Sequence, residues 1–303
     1  VPAPFIDRLS VVATFPEGQC TSEAHNSVLD ALADKGHFVP AKGGKFGPFK
    51  LAYNIVSVHQ PVVGKWALFQ YAHAYGKPSK VRIDMVPVDL GPLGLAEVNE
   101  ALKLFLPGGW RFFIENGSVT RIDISVDFQD IRMNQFLFLP SQLATTKQWS
   151  SKGELQTYQH GKVDGNHTQI YSRKAKRAVQ GKAWQGKEGI RVERRLKNPG
   201  IQLSALPGLP NAFASISMVQ GLPDQPPATM GENWIYIWKL FKLAANSAGL
   251  EVALGVLPEE RRKLFKHHIE KVAAAPWWDV DAIWSGWKPM LEAYRICDKK
   301  SWK

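Results

Sequence analysis

The chain has few cysteines, a deficit of acid and no long apolar run, and each shortage excludes a class of protein. Its two cysteines, Cys20 and Cys297, are too few and too far apart for a disulfide framework or a zinc site, so packing roles are expected for both. No apolar run reaches the roughly 18 residues that a membrane span needs, and no membrane partner is expected. The opening VPAPFIDRLS lacks the basic-then-apolar order of a secretory signal, and a cytoplasmic location is the expectation. Several catalytic signatures are also missing. There is no G-x-x-x-x-G-K-S/T loop to cradle phosphates, no G-x-S-x-G elbow and no H-E-x-x-H helix, which argues against a nucleotide hydrolase, a serine hydrolase and a zinc protease.

The shortage of acid is the most informative. Asp and Glu number 27 against 38 Lys and Arg, a net charge of +11, and such a balance favours a polyanionic partner through counterion release. Most of the excess is local. Residues 147–197 hold 13 Lys and Arg against four Asp and Glu, a surplus of nine within one stretch. A solvated basic face is one reading and a nucleic-acid face the other; the motifs within the stretch favour nucleic acid.

What is present suffices for a core, since 45% of the residues are apolar, and 303 residues exceed one average domain. A helix is expected over 22–35, capped by Thr21 or Ser22, before a hairpin-like Gly-rich passage. Phe69, Tyr71, His73 and Tyr75 alternate with period two, which predicts a strand over 66–75. Strands are expected over 80–87 and 119–128, and shorter ones near 155–158, 168–171 and 190–196. Leu95, Val98, Leu102 and Phe105 recur at helical spacing, and Pro107-Gly108-Gly109 stops that helix. Strands with helices laid on one face indicate an α+β fold around a largely antiparallel sheet. Pro and Gly cluster over 199–231 and read as a linker or extended wrap. Helices follow over 234–248, 258–274 and 280–294, and seven of the eleven tryptophans lie from residue 232 onward, so a small Trp-rich helical unit with a Trp core or an aromatic contact surface is expected. The expected division is 1–198 for a DNA-binding α+β domain, 199–231 for the linker and 232–303 for the helical domain.

Three segments carry chemistry. On the strand VTRIDISVDF, Asp123, Ser125 and Asp127 share one face and Ile122, Ile124 and Val126 the other. Acids on a core strand read either as an exposed polar face or as groups that meet a cation. Residues four apart on a strand are separated by about 13 Å, so one aspartate is expected to ligate a metal and the other to hold a basic side chain. In HTQIYSRKAKR, Tyr171 is followed by Arg173, Lys174, Lys176 and Arg177. A phenol has a pKa of about 10 and attacks poorly at neutral pH unless nearby cations favour phenolate. Tyr-x-x-Lys supplies such a cation where the chain is helical. In GIRVERRLK, Arg191, Glu193 and Arg195 share a strand face, with Glu193 either in a structural ion pair or a metal ligand.

The order of these segments, from about residue 80 to 198, resembles the replication initiation factor family of plasmid and phage rolling-circle initiators. TRIDISVD at 120–127 is similar to the family's arginine-aspartate strand, TYQHGK at 157–162 loosely to its strand end, IYSRK at 170–174 to its tyrosine segment and IRVERRLK at 190–197 to its valine-arginine-glutamate strand. Phe128 stands where members often have a second acid, and Ser172-Arg173 where they have Asp-Lys. The resemblance implies an origin-specific DNA nicking-joining enzyme. Tyr171 would be the nucleophile assisted by Lys174, with Asp123, Asp127 and Glu193 holding Mg²⁺ or Mn²⁺. Arg173, Lys176, Arg177, Arg191 and Arg195 would bind DNA. Its partners would be double- and single-stranded origin DNA and a host helicase, and a homodimer is compatible with it. A non-catalytic origin-binding initiator and a conjugative relaxase are the alternatives.

Other residues compete for these roles. Tyr71 and Tyr75 have the spacing of two-tyrosine nicking enzymes, but those use a helix and a His-x-His strand, and no His-x-His occurs here. His160 and His167 flank the tyrosine segment as ligands, phosphate contacts or plain loop residues. His267 and His268 are adjacent on a basic helix and diverge by about 100°, which separates their rings.

If residues 147–197 track a nucleic-acid backbone, log affinity falls linearly with log salt, by about 0.7 to 0.9 per phosphate contacted. Titrations of a labelled DNA at several salt concentrations read the slope, and a flat dependence rejects the electrostatic reading.

Overall fold

The structure is a computed structural model of the 303-residue chain that describes residues 1–15, 37–41, 49, 51–56, 65–74, 77–104, 106–140, 145–151, 153–231 and 233–302. The helix expected over 22–35, Tyr75 and Cys20 lie outside the described residues. The fold is α+β, as the alternation of elements predicts. Among the described residues ten strands are hydrogen-bonded in one largely antiparallel sheet, in the order β2-β3-β4-β5-β1-β6-β11-β10-β9-β8. They are β1 (Phe5–Thr14), β2 (Phe38–Pro40), β3 (Leu51–Val56), β4 (Lys65–Ala74), β5 (Lys77–Met85), β6 (Gly117–Gln129), β8 (Thr146–Ser151), β9 (Glu154–Gly161), β10 (His167–Ser172) and β11 (Gly189–Lys197). A separate pair joins β7 (Leu137–Pro140) to β12 (Ile216–Val219).

Contacts group the chain into two compact units, with the divide inside β6 after Ser125 and inside β11 after Arg194. The first unit comprises Pro4–Ser125, Arg195–Pro210 and Ser285–Lys303. Its core forms where the apolar alternation of the strands meets a helical stripe. Leu9, Val11, Ile83, Ile122 and Ile124 are buried on the strands, and Leu95, Val98 and Leu102 on helix α1 (Pro87–Lys103). Gly91 takes φ 62 inside α1 and kinks it just before Pro92. Helix α2 (Trp110–Asn116) begins at Gly109, whose φ of 58 suits glycine and whose missing Cβ leaves room for Asn99. The Asn99 Oδ1 accepts from the Trp110 backbone N–H at 2.8 Å, and the Trp110 indole donates to the Ile296 carbonyl at 3.0 Å.

The second unit comprises Val1–Ala3, Val126–Arg194 and Asn211–Trp284. It holds helices α3 (Arg173–Val179), α4 (Trp234–Ala248), α5 (Leu250–Gly255), α6 (Glu259–Ala273) and α7 (Val280–Trp284). Leu139 and Val219 from the two-stranded pair pack with Trp238, Phe241, Phe265 and Ile269. The tryptophans serve as core. Trp238 is 1% exposed and donates to the Pro223 carbonyl, and Trp278 donates to the Ile216 carbonyl. Each indole thus buries a large ring and satisfies a backbone oxygen.

One expected helix meets a different outcome. The helix read over 280–294 is broken into α7 and α8 (Trp287–Ala293) around Ser285-Gly286. Pro289 explains the break, because it lacks the N–H that a continuous helix would need there but is tolerated in the first turn of a new one. The Pro/Gly-rich stretch contributes a 3-10 turn at Leu203–Gly208 and strand β12, and it buries Leu203, Leu206 and Phe213 completely. Cys297 is half-buried, its loss of water contact pushes the thiol up to about 12, and it packs as expected, its Sγ 3.2 Å from the Leu203 carbonyl oxygen. Among the described residues no helix is long and apolar enough to cross a membrane.

Gly189 opens β11 with its α-carbon facing the Phe128 carbonyl oxygen of β6 at a separation that no Cβ tolerates. Gly189→Ala would gain a few tenths to 1 kcal/mol by restricting the unfolded chain, but the forced strand shift outweighs it, for a net loss of about 1–3 kcal/mol. Urea unfolding of the variant checks this, and an unchanged midpoint would show that the strand yields freely.

Candidate nucleic-acid interface and nucleophile site

The site in the second unit is built where β10 turns into α3. His167–Ser172 is strand, and the Ser172 hydroxyl accepts from the Ala175 N–H at 3.2 Å, capping the helix that follows. Tyr171 is therefore the penultimate strand residue, and the basic run Arg173–Arg177 projects from a short helix beside it. Tyr171 is 3% exposed and borders a cleft of about 860 Å³ together with Trp149, Gln156, Thr157, Lys174 and Lys176. Its hydroxyl donates to Glu193 Oε2 over a long 3.5 Å. Lys176 Nζ lies 3.8 Å from the centre of its ring, a cation–π contact.

That arrangement changes the roles of the lysines. Tyr-x-x-Lys makes neighbours only on a helix, and Tyr171 precedes the helix. Lys174 instead reaches Glu188 at 3.1 Å and, with Arg132, holds that carboxyl below its ordinary range. Lys176, five residues on, is the cation against the phenol ring.

The predicted metal ligands are placed differently from expectation. Asp127, in the second unit, receives a two-toothed fork from Arg191 at 2.7 and 3.0 Å and a third contact from Arg173 at 3.2 Å. Arg173 also lies over the Trp184 ring, 5.1 Å from its centre. Asp123, in the first unit, is gripped by Arg195 at 3.0 and 3.1 Å and by the Arg121 guanidinium. Asp123 is 2% exposed. Burial by itself would raise its carboxyl, but the hydrogen bonds from Arg121 and Arg195 outweigh it and hold the group below the ordinary carboxylate range.

Both aspartates thus hold basic side chains, where one was expected to ligate metal. A divalent ion at either would have to displace guanidinium groups from both carboxylate oxygens. Among the described residues no group of three or more His, Cys, Asp or Glu comes together to hold an ion. A Mg²⁺ or Mn²⁺ ion at Asp123 or Asp127 would compete with these guanidinium groups, and at Glu193 with the Tyr171 hydroxyl. The physical reason is the arginine surplus: on a buried strand face a guanidinium fork satisfies both oxygens at once.

Of the residues expected to bind DNA, Arg173 and Arg191 are drawn onto Asp127, and Arg195 onto Asp123. Arg177 lines a smaller cleft of about 270 Å³ with Trp184 and Lys187. The residues missed by sequence reasoning are Arg121, Trp149 and Trp184. Arg121 and Asp123 are two apart on one strand face, a spacing that signals their pairing. Trp149 stands alone in a polar stretch, and such a tryptophan is itself a signal.

The rival tyrosines and histidines have other surroundings. Tyr71 is 1% exposed in the first unit and donates to Ser79. Tyr158 is buried and donates to Glu251, and burial raises its phenol well above the ordinary value. His160 lies near Thr146 and Glu251, His167 contacts the Lys162 carbonyl, and His268 the Gln225 carbonyl. No protein-family model matches the sequence, and no curated protein matches it either.

Asp123 makes stability depend on pH with a definite sign. Its folded value lies below the unfolded one of about 3.9, so its contribution is complete above that pH and is lost as pH falls through the folded value. Asp123→Asn leaves two guanidinium groups without their anion, at a cost of about 1–3 kcal/mol near neutral pH. In urea unfolding from pH 7 down to pH 3, the gap between wild type and variant should shrink below about pH 4. A gap that stays constant with pH would mean that Asp123 is not a structural carboxylate.

Proposed function

We propose that the chain is a DNA nicking-joining protein of the rolling-circle initiator kind, with Tyr171 as its nucleophile. The observation that carries this reading is the Tyr171 phenol at the cleft, with a carboxylate at its hydroxyl and an ammonium against its ring. A phosphodiester of a single strand would enter the cleft, where Lys174 and Lys176 line the wall and offset its charge. The phenol oxygen attacks phosphorus in line as its proton passes to Glu193. The bond from phosphorus to the 3′ oxygen breaks, and that oxygen takes a proton from water to become a free 3′-hydroxyl. The 5′ side stays joined to Tyr171 as a phosphodiester, so the energy of the broken bond is kept and the strand can be rejoined without a nucleotide cofactor.

This assignment gives Glu193 a proton-accepting role in place of the metal-binding role that the resemblance implied. Asp123 and Asp127 become supports for the arginines. The polar cation set alone is equally compatible with an origin binder that does no chemistry; the Tyr171–Glu193 contact favours the enzyme.

Tyr171→Phe removes one oxygen and leaves the ring that Lys176 faces, so folding and DNA affinity are expected to persist. Nicking and the covalent adduct should vanish together. The measurement is a denaturing gel of the protein with labelled single strands from its own origin, followed by peptide mapping of the adduct. An adduct that persists in Tyr171→Phe, or maps to Tyr71, Tyr75 or Tyr158, identifies another nucleophile. Tight binding with no adduct would leave a non-catalytic origin binder.

A further inference from the structure

The cleft beside Tyr171 has a second feature that nicking chemistry does not require. Strand β8 is the last strand in the sheet order, with five of its six residues, TKQWSS, exposed. Trp149 is 46% exposed on it, an unusual place to leave an indole in water. In the strand register Trp149 lies opposite Thr157, and Thr157 lies opposite Tyr171. Residues directly opposite in an antiparallel ladder share a face, so these three side chains form one row across β8, β9 and β10. Two strand spacings separate the ends of the row, about 9.5 Å between α-carbons. All three residues line the same cleft.

The rest of that wall is chemically mixed: Glu154 and Glu188 line it too, the latter paired with Lys174. Gln156 and Gln169 offer amide donors and acceptors, and Lys176 offers positive charge next to the phenol. A flat aromatic face, amide groups and an ammonium together match the parts of a nucleotide: the base's π-face, its polar edge and its phosphate. An aliphatic ligand would use neither the amides nor the ammonium, and an inorganic anion would not use the indole.

We propose that Trp149 is a base-stacking residue, and that the cleft seats an unpaired nucleobase on its indole beside the phosphate presented to Tyr171. The inference rests on the reading of this cleft as the site of a single DNA strand. A duplex keeps its bases stacked on each other, so an indole in this position selects single-stranded DNA. It also fixes the strand's position along the row from Trp149 to Tyr171.

The test uses the full chain carrying Tyr171→Phe, so that binding is read without chemistry. Fluorescence anisotropy compares a labelled dT 12-mer with a 12-mer of the same charge built from abasic sites. The dT strand should bind roughly tenfold or more tightly, since stacking on one aromatic side chain contributes on that order. Adding Trp149→Ala should remove that preference, while affinity for the abasic strand stays within about twofold, and Trp149→Phe should restore most of it. Circular dichroism confirms that the exposed substitution leaves the fold intact. A preference for bases that survives in Trp149→Ala overturns the proposal, as does the absence of any preference in the parent chain. The two readings fail separately. A Trp149-dependent preference without any Tyr171 adduct in the wild-type chain upholds the stacking site and rejects the nucleophile. An adduct on Tyr171 with a Trp149-independent preference does the reverse.

Discussion

Asp123 and Asp127 share one face of β6, a strand whose other face is packed with Ile122, Ile124 and Val126. A carboxylate removed from water on a core strand is costly unless its charge and lone pairs are met, and here guanidinium groups meet them. In the first unit Arg121 and Arg195 close on Asp123; in the second Arg191 and Arg173 close on Asp127. The Arg195 and Arg191 forks each join β11 to β6 within one unit. A further fork, from Arg8 to Asp84 at 2.8 and 2.6 Å, repeats the device between β1 and β5. Two arginines against each β6 aspartate leave a local positive excess, so the groups that permit burial also supply the cationic character of that face. A metal ion would have to compete with the guanidinium groups for the aspartate oxygens.

The strand-to-helix change at Ser172 controls the chemistry in a comparable way. With the strand carried through Tyr171, the phenol sits on the sheet opposite Thr157 and meets Glu193 of β11. The helix then sends Lys174 outward to Glu188 and brings Lys176 over the ring. A helix begun one turn earlier would have set Lys174, three residues on, beside the phenol. The Ser172 hydroxyl caps the seven-residue helix at this point.

The tryptophans divide by location. Trp238, Trp278 and Trp287 are buried and donate to backbone carbonyls, so in the C-terminal part of the chain these tryptophans serve the core of their own unit. Trp149 and Trp184 border clefts beside the basic helix instead. Composition alone cannot separate these uses, because burial depends on what packs over each ring.

The sequence by itself determined the α+β class, the strands around Asp123, Tyr171 and Glu193, and the helix over 234–248. These are set by short-range periodicity, which the chain carries in every window of ten residues. The paired faces of β6 and β11 followed from the same period of two. Local pattern did not reveal β1, because FIDRLSVVAT mixes its apolar residues without clean alternation and gains its place by pairing with β5 and β6. Nor did it reveal β8, an edge strand with little to bury. The partners of each charge were decided only by tertiary structure. Arg191 and Asp127 are 64 residues apart, and Arg195 and Asp123 72. Which arginine closes on which carboxylate depends on strand register, and register is a long-range property that no local spacing encodes.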